Sequence, residues 1–387
     1  MSTPHDLPPA PEAITLKMIA EQCGVSVATV SRALRHPERH RQETTERIAA
    51  VARELGYDPA RYEGARRLVL SRFGKNLVNH LIALVFPPFF YEAHYFTAIF
   101  QGILDVLTPE GFGLITIDGD HALQYALPPS FTRGDIDGVI IAADPKDSPT
   151  ILAKLRTEMG FAKRPVVSLV VPIPTCSNVL VDASRGAYEA AGHLLDLGHR
   201  HLLHFCGPYE DSGQMLHDQH AQFLRGYRLA CAERGLAPDA HLHYLSLERR
   251  LWQLAFRAAN RSKLDAWASS ARAHQHPLLQ MLRAHPEITG ILALNDPSAI
   301  LIHHLLTHSG VRVPEDVSLV GFDDTDPLYD ARGLNCLTTV RVPLRALGRK
   351  AAHLLIRQIN GQQPPDSHLL VPPTLVIRGT TAPPIRT

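Results

Sequence analysis

Apolar residues near the start of the chain recur at the three- and four-residue spacing of an amphipathic helix, three times in succession. The first predicted helix begins after Thr15, whose hydroxyl group suits an N-cap, and the second begins after Ser26. Gly24 lies between them and can adopt the positive φ that ends a helix. A third predicted helix ends at Gly56. The spacing therefore predicts a small helical domain over residues 15–58.

The second predicted helix leaves one set of side chains outside this domain. Two helices joined by a tight turn form a helix-turn-helix, although the same pattern is typical of an αα-hairpin without a DNA role. Small apolar side chains let a helix approach a thymine methyl group, arginine binds a guanine edge bidentately, and hydroxyl groups bind phosphates. Basic side chains beyond the helix suit the phosphate backbone. The predicted DNA contacts of this region are Thr15, Val27, Ala28, Thr29, Ser31, Arg32 and Arg35.

Beyond residue 80, short apolar runs alternate with helical stretches, which predicts parallel sheets covered by helices on both faces. The scheme repeats, so we expect two similar α/β lobes, with late segments that make the chain cross between lobes more than once. The predicted strands are Leu81–Phe86, Leu114–Ile117, Val139–Ala142, Val166–Val171, Leu202–Cys206, Leu242–Leu245, Ile291–Leu294, Val317–Phe322, Leu337–Val340 and Leu369–Ile377.

The predicted fold is thus an all-α helix-turn-helix headpiece followed by an α/β core of two doubly wound parallel-sheet lobes. A chain of 387 residues has room for these parts, and 45% hydrophobic with 20% charged residues is ordinary for a globular protein. Residues 1–14 contain four prolines and little to bury, so we predict a disordered tail. The start of the chain lacks a signal-peptide pattern and no stretch suits a membrane span, which predicts a cytoplasmic protein.

Cysteine content and charge limit the kinds of binding site that the chain can form. Five scattered cysteines without a CxxC pair argue against a disulfide framework or a zinc site, and no cofactor is expected. The net charge of the chain is only +1, so DNA binding requires a local basic patch. Such a patch runs from Arg61 to Lys75, where five basic residues against Glu63 give a charge of +4.

The segments TLKMIAEQC and GVSVATVSRAL, from Thr15 to Leu34, closely resemble the head of the lactose and galactose repressor family of bacterial transcription regulators. YDPARYEGARRL, from Tyr57 to Leu68, resembles the hinge helix of that family, and we predict a hinge helix and linker over residues 59–80. The resemblance implies that Leu68 wedges into the minor groove and kinks the DNA. The spacing from Gly56 is longer than in the family, and a register fixed there places Arg66 at the wedge position instead.

Phrases in the second part also resemble the family. The resemblance implies a periplasmic-binding-protein-like core over residues 81–384, with a small effector between its lobes. One headpiece buries too little surface for tight specific binding, so we also predict a homodimer that binds a near-palindromic operator. The similar phrases are DGVII at Asp137, VDASRGAYEAAGHLLDLGHR from Val181, ILALNDPSAI from Ile291, VSLVGFDD from Val317 and LTTVRVPLRALGRKA from Leu337.

Effector contacts are expected beyond the carboxyl ends of the strands, where open α/β sheets bind ligands. Asp296 matches an aspartate with which the family binds ligand hydroxyls, although it also suits an N-cap before Pro297. Asp118 ends the second predicted strand and is either a ligand contact or a turn residue. Phe223 stands where the family usually has an arginine, which favours a more apolar or aromatic effector. The remaining candidates, each with plain packing as its alternative, are Tyr91, His94, Tyr95 and Trp252.

Other functions remain as alternatives. Metal sensing is suggested by 22 histidines, for example His217 with His220, or His199, His201 and His204, although no acidic or thiol partners complete a site. A solute-binding protein of a transport system would need a signal peptide and no headpiece. The chain contains no GxSxG, P-loop, HExxH or complete GxGxxG motif, so we do not expect an enzyme.

Overall fold

The computed structural model describes residues 15–35, 42–55, 57, 78–86, 94–132, 135–143, 147–158, 164–206, 213–238, 241–246, 251, 261–270, 273–364 and 366–385. The predicted tail and most of the predicted hinge lie outside this range, as do Arg66, Leu68, Tyr91 and Trp252. The chain forms two compact units, residues 1–77 and residues 78–387. None of the helices among the described residues is long and apolar enough to cross a membrane.

The first unit contains the three predicted helices, α1 (Leu16–Cys23), α2 (Val27–Arg35) and α3 (Gln42–Glu54). The Thr15 hydroxyl caps α1 by accepting a hydrogen bond from the Met18 amide, and Gly24 ends α1 with φ at 62°. Each helix contributes one wholly buried aliphatic residue to a common core, namely Ile19, Val30 and Ile48. Helix α2 is therefore fixed by its inner face, which leaves its outer face free of a packing role.

The first lobe of the second unit is a six-stranded parallel sheet in the order β11-β5-β4-β3-β1-β2. Alternate residues of its strands enter opposite hydrophobic clusters, as Leu84 and Val85 do, because the sheet is covered on both faces. The strands are β1 (Leu81–Phe86), β2 (Gly113–Asp118), β3 (Gly138–Ile141), β4 (Val166–Leu169), β5 (Ser177–Val181) and β11 (His368–Val371). Its helices are α4 (His94–Leu107), α5 (Gly119–Gln124), α6 (Pro129–Thr132), α7 (Ser148–Glu158) and α13 (Leu344–Ile359).

The second lobe repeats the design, with the strand order β12-β10-β9-β8-β6-β7 and only β12 antiparallel. Its strands are β6 (His201–Cys206), β7 (Leu242–Ser246), β8 (Ile288–Ala293), β9 (Ser318–Asp323), β10 (Thr338–Arg341) and β12 (Thr374–Val376). Its helices are α8 (Ala183–Asp196), α9 (Gly213–Glu233), α10 (Arg261–Ala268), a 3-10 turn (Ala273–Gln275), α11 (Pro277–Ala284) and α12 (Asp296–His308).

The predicted two-lobed α/β core and its repeated crossing are confirmed, since the chain changes lobe after β5, after β10 and after β11. Two details differ from the prediction. The segment Leu369–Ile377 forms two strands in different lobes, because Pro372 and Pro373 interrupt it and cannot donate to a sheet. Strand β5 was not predicted, because it begins with Ser177 and Asn178, polar residues that the fold buries.

Close helix packing in both lobes depends on glycine. In the first lobe, a Cβ atom at Gly348 of α13 would overlap the backbone oxygen of Ile99 in α4. In the second lobe, a Cβ atom at Gly226 of α9 would overlap the backbone oxygen of Ser184 in α8. Backbone atoms cannot move aside as the end of a side chain can, so these two contacts fix the helix pairs that cover the sheets.

We expect Gly348→Ala to destabilise the core by about 1 to 3 kcal/mol or more, the usual cost of overpacking. In an exposed helix the same change would instead stabilise by up to about 1 kcal/mol. Urea unfolding of the full chain measures the difference. Lys350→Ala on the exposed face of the same helix is the control, with a change within about 0.5 kcal/mol. Equal stability of Gly348→Ala and the parent would show that the helices do not need this contact.

Candidate functional site

The outer face of α2 presents the small residues that the sequence predicted for contact with DNA bases. Val27 is 44% exposed and Ala28 is also exposed, whereas Val30 and Ala33 on the opposite face are buried. Arg32 is exposed one turn after Ala28, and its Nε donates to the Ala28 backbone oxygen at 3.2 Å. The guanidinium group therefore lies along the same exposed face as the two small residues.

Hydroxyl groups flank this face at the start of α2. The Ser26 Oγ accepts from the Thr29 amide at 3.1 Å and lies 2.8 Å from the Thr29 Oγ1, so both hydroxyl groups are positioned by the helix terminus. Ser31 is half-buried, and Arg35 is the last residue of α2, with its side chain outside the described part. The exposed face of α2 therefore combines small apolar side chains, which allow a binding partner to come close to the helix, with one arginine and with hydroxyl groups at its margin.

A second candidate site lies at the carboxyl ends of the strands in the two-lobed unit. Asp118 is half-buried there, and its carboxylate caps α5 by accepting from the amides of Asp120, at 2.8 Å, and His121, at 3.2 Å. This contact supports its role in the turn. The segments 87–93, 144–146, 207–212 and 247–250, which come after strands in the sequence, lie outside the described residues.

Asp296 is wholly buried just beyond β8, where its carboxylate accepts three hydrogen bonds. The donors are the Thr339 hydroxyl at 2.5 Å, the Thr325 amide at 2.8 Å and the Asp326 amide at 3.4 Å. Burial raises the pKa of Asp296 to about 7, although these donors oppose the shift. The alternative role of Asp296 as an N-cap is not observed, because Asn295 caps α12 by accepting from the Ser298 amide and the Asp296 carboxylate turns inward.

The chain after β9 bends sharply around this buried carboxylate. Asp323 and Asp324 both have positive φ, at 101° and 57°, a region that side-chain-bearing residues rarely adopt. Asp324 holds the bend through ion pairs with Arg341, at 2.6 Å, and Arg378, at 2.7 Å. Burial, together with the nearby carboxylates of Asp296 and Asp326, raises the pKa of Asp323. Backbone strain of this kind is concentrated at functional sites.

The bend brings the second lobe against the start of α4 in the first lobe. Asp326 Oδ1 lies 3.4 Å from His94 Nδ1, and the His94 side chain is 61% exposed. Burial, with a smaller effect of the Asp323 charge, raises the pKa of the Tyr95 hydroxyl. The structure therefore brings His94 and Tyr95 close to the Asp296 network. Sequence reasoning did not single out Asp326, whose only signal was its position just after the GFDD phrase.

Phe223 packs on the face of the second-lobe sheet opposite to α12, where its ring stacks on His204 with 3.5 Å between centroids and 6° between planes. Phe223 is half-buried, and Tyr227 continues the stack at 6.4 Å. Arg225, the arginine nearest to it in sequence, donates to the Ser184 hydroxyl at 3.1 Å. The position of the usual family arginine is thus occupied by an aromatic stack.

The predicted histidine group does not converge. His199 bonds to the Thr289 hydroxyl at 2.8 Å and the Ala382 oxygen at 2.9 Å, while His204 is stacked under Phe223. The side chains of His217 and His220 lie outside the described part. Trp267 packs against the hydrophobic core of the second lobe, beside His276, so its helix lies on the surface of the lobe.

A helix-turn-helix with an outward-facing reading surface, followed by two parallel-sheet lobes that meet at their strand ends, is the architecture of a ligand-responsive DNA-binding protein. Comparison with known protein families matches residues 15–60 to the bacterial regulatory proteins of the lacI family. Residues 191–381 match a periplasmic binding protein-like domain. The chain belongs to the lacI family and is a DNA-binding transcription regulator.

Whole-chain relatives agree with this assignment. The HTH-type transcriptional regulator CelR of Thermobifida fusca is 27% identical over 369 residues, covering 94% of this chain and 97% of that protein. The solved CelR-cellobiose complex has a TM-score of 0.56 at 23% identity and covers 95% of this chain and 99% of its own. The lac repressor dimer bound to operator and the anti-inducer ONPF has a TM-score of 0.58 at 22% identity, covering 96% and 100%. The two structures show the shared fold.

Membership of a family of transcription regulators agrees with the expectation that the chain is not an enzyme. It also removes the alternative of a solute-binding protein for transport, because the DNA-binding domain itself is matched.

The raised pKa of Asp296 predicts a pH-dependent stability. The folded protein binds this proton more tightly than the unfolded chain, so stability should fall as pH rises from about 4 to about 7. Relative to Asp296→Asn, which lacks the proton, we expect the parent to lose at most about 4 kcal/mol over that interval, at about 1.4 kcal/mol per pH unit. Urea unfolding at about pH 5 and about pH 8 measures the change.

Asp330→Asn is the control for this experiment. A hydrogen bond from the Leu334 amide lowers the pKa of Asp330, so its titration lies below the interval tested. The difference between parent and Asp330→Asn should therefore stay constant. A parent that gains stability over Asp296→Asn as pH rises would contradict the effect of burial.

Proposed function

We propose that this protein is a repressor that binds a near-palindromic operator as a homodimer, in the cytoplasm, and releases or holds it according to a small ligand between its lobes. The observation that carries the proposal is the outer face of α2, where Val27, Ala28 and Arg32 are exposed together on a helix fixed by its buried side. This is the surface that a recognition helix presents to the major groove.

The proposed DNA contacts differ in the part of the DNA that they bind. Arg32 reads a guanine edge, and Val27 and Ala28 approach bases closely enough to contact thymine methyl groups. Thr15, Thr29, Ser31 and Arg35 bind phosphates and set the register of the helix. Arg66 or Leu68 acts in the minor groove at the centre of the operator, as the resemblance of the hinge implies.

A homodimer follows from the size of the reading surface. One three-helix domain buries too little surface for tight and specific binding, so two copies on two half-sites are required. Two-fold symmetry of the protein then makes the operator a near-palindrome. The lac repressor structure, which is a dimer bound to operator, supports this arrangement.

The effector belongs between the lobes, and the CelR-cellobiose complex supports a sugar or a similar hydroxylated metabolite. Asp296 is wholly buried, so its role here is to position the Thr325–Asp326 backbone. The exposed His94, with Asp326, then offers polar groups to the ligand from both lobes. Phe223 stands where the family has an arginine, and its ring, stacked on His204, makes this position apolar, which suits the apolar face of a sugar ring or a base. Tyr95 and Asp118 remain candidates at the same edge, and Tyr91 and Trp252, which lie outside the described residues, remain candidates from the sequence.

The operator sequence is found by selecting bound fragments from a random DNA pool with the full chain. We expect Arg32→Ala to weaken binding to that operator by about 1 to 3 kcal/mol and to relax preference at one base pair in each half-site. Fluorescence anisotropy at one fixed salt concentration measures the affinity, and a second selection measures the preference.

Arg53→Ala is a matched control. Arg53 is also exposed and its Nε donates to the Ala49 oxygen, one turn before it in α3, as Arg32 does in α2. It should leave the base preference unchanged. A selection in which Arg32→Ala returns the operator of the parent would show that α2 does not read DNA through this arginine.

A further inference from the structure

Four histidines and one glutamate converge at the amino-terminal edge of the second-lobe sheet, opposite the strand ends that face the other lobe. His201 is the first residue of β6 and pairs with Ile288, the first residue of β8, so Glu287 immediately precedes that pair. His243 lies near the start of β7, the other neighbour of β6. Three adjacent strands therefore bring these three side chains together.

The three side chains are close enough to share one ion. One ligand atom each from His201, His243 and Glu287 lies within 4.8 Å of the other two. Tetrahedral zinc, with bonds of about 2.0 to 2.2 Å, requires ligand atoms roughly 3.3 Å apart. Rotation of the exposed Glu287 and the half-buried rings closes this gap without a change in the strands, because the strands already set the spacing of the Cα atoms.

The surrounding residues support the site. His285 Nδ1 lies 3.0 Å from Glu287 Oε1 and so orients the carboxylate. The ring of His241 contacts that of His201 edge-on, with 4.6 Å between centroids. Among the described residues, the buried Nδ1 atoms of His201 and His241 have no hydrogen-bond partner. A buried imidazole nitrogen without a partner is unusual, and a metal ion supplies one.

We infer that His201, His243 and Glu287 form a binding site for a divalent transition-metal ion, with Zn²⁺ as the best match. Two imidazoles and one carboxylate are ligands that zinc accepts, and water completes a tetrahedron. Magnesium and calcium prefer oxygen ligands only, so they are poor occupants. His285 is a positioning residue that holds Glu287 in place.

The position of the site in the second-lobe sheet indicates the role of the bound ion. It joins β7, β6 and β8 at the end of the sheet remote from the other lobe, so it stabilises the second lobe without contact with an effector. A metal ion that binds only the folded protein raises the melting temperature with its concentration. This inference does not depend on the proposed operator or effector.

A second group in the same lobe provides the control. Asp265, His304 and His308 also lie within ligand distance of one another, but Asp265 and His308 are exposed on helix surfaces. His304 already contacts Asp265, with 2.6 Å between Nδ1 and Oδ1. Asp265→Asn removes this alternative without touching the first group.

The test uses the full-length, untagged chain, stripped of metal with a chelator. Zn²⁺ is titrated in competition with a fluorescent zinc chelator, and Mg²⁺ is the parallel probe. We expect the parent and Asp265→Asn to bind one equivalent of Zn²⁺ alike, and His243→Asn and Glu287→Ala to lose it. His285→Ala, which removes only the support of Glu287, should weaken binding by about 10- to 100-fold.

X-ray absorption of the zinc-loaded protein identifies the ligand atoms. A shell of nitrogen and oxygen supports the site, whereas sulfur would assign the ion to one of the free cysteines. The inference is overturned if Zn²⁺ binds no better than Mg²⁺, or if Glu287→Ala and His243→Asn retain the affinity of the parent. It is also overturned if Asp265→Asn abolishes binding. Because Glu287 is exposed, we expect its replacement to leave the fold intact, and an unchanged melting temperature of the metal-free variant is the check.

Discussion

The buried carboxylate of Asp296 is the constraint on which the rest of the core depends. A carboxyl group without contact with water is tolerated only when hydrogen bonds satisfy its oxygen atoms. Thr339 from β10 and the amides that follow β9 supply those bonds, and Gly321 leaves room for them, because a Cβ atom there would overlap the carboxylate. One side chain therefore fixes the ends of three neighbouring strands and the strained bend after β9.

That bend also brings the two lobes into contact with each other. Because the backbone turns at Asp323 and Asp324, Asp326 points toward His94 at the start of α4, and the lobes meet through side chains beyond their strand ends. In the proposed function, a ligand between the lobes acts on this contact. Movement of one lobe against the other would then shift the starting points of the two predicted hinges of a dimer and so alter DNA affinity.

The sequence predicted those features that depend on residues close to one another along the chain. The exposed face of α2 followed from helical periodicity, because residues that face inward on α2 leave Val27 and Arg32 outside. Contacts between distant segments could not be predicted in this way. Asn295 caps α12 and Asp296 does not, because Thr339, far along the chain, donates a hydrogen bond to the Asp296 carboxylate. Similarly, no short-range signal brings His201 and Glu287 to one edge of a sheet, since strand order decides it.

The most direct test of the account is the effect of a ligand on operator affinity. The full chain and Asp326→Asn are compared by fluorescence anisotropy on the selected operator, at fixed salt, without and with saturating cellobiose or another sugar that raises the melting temperature of the parent. The account predicts that the sugar changes the affinity of the parent by about 5- to 150-fold and that of Asp326→Asn much less. An operator affinity unaffected by any sugar that binds, or an equal response of the two proteins, would contradict it.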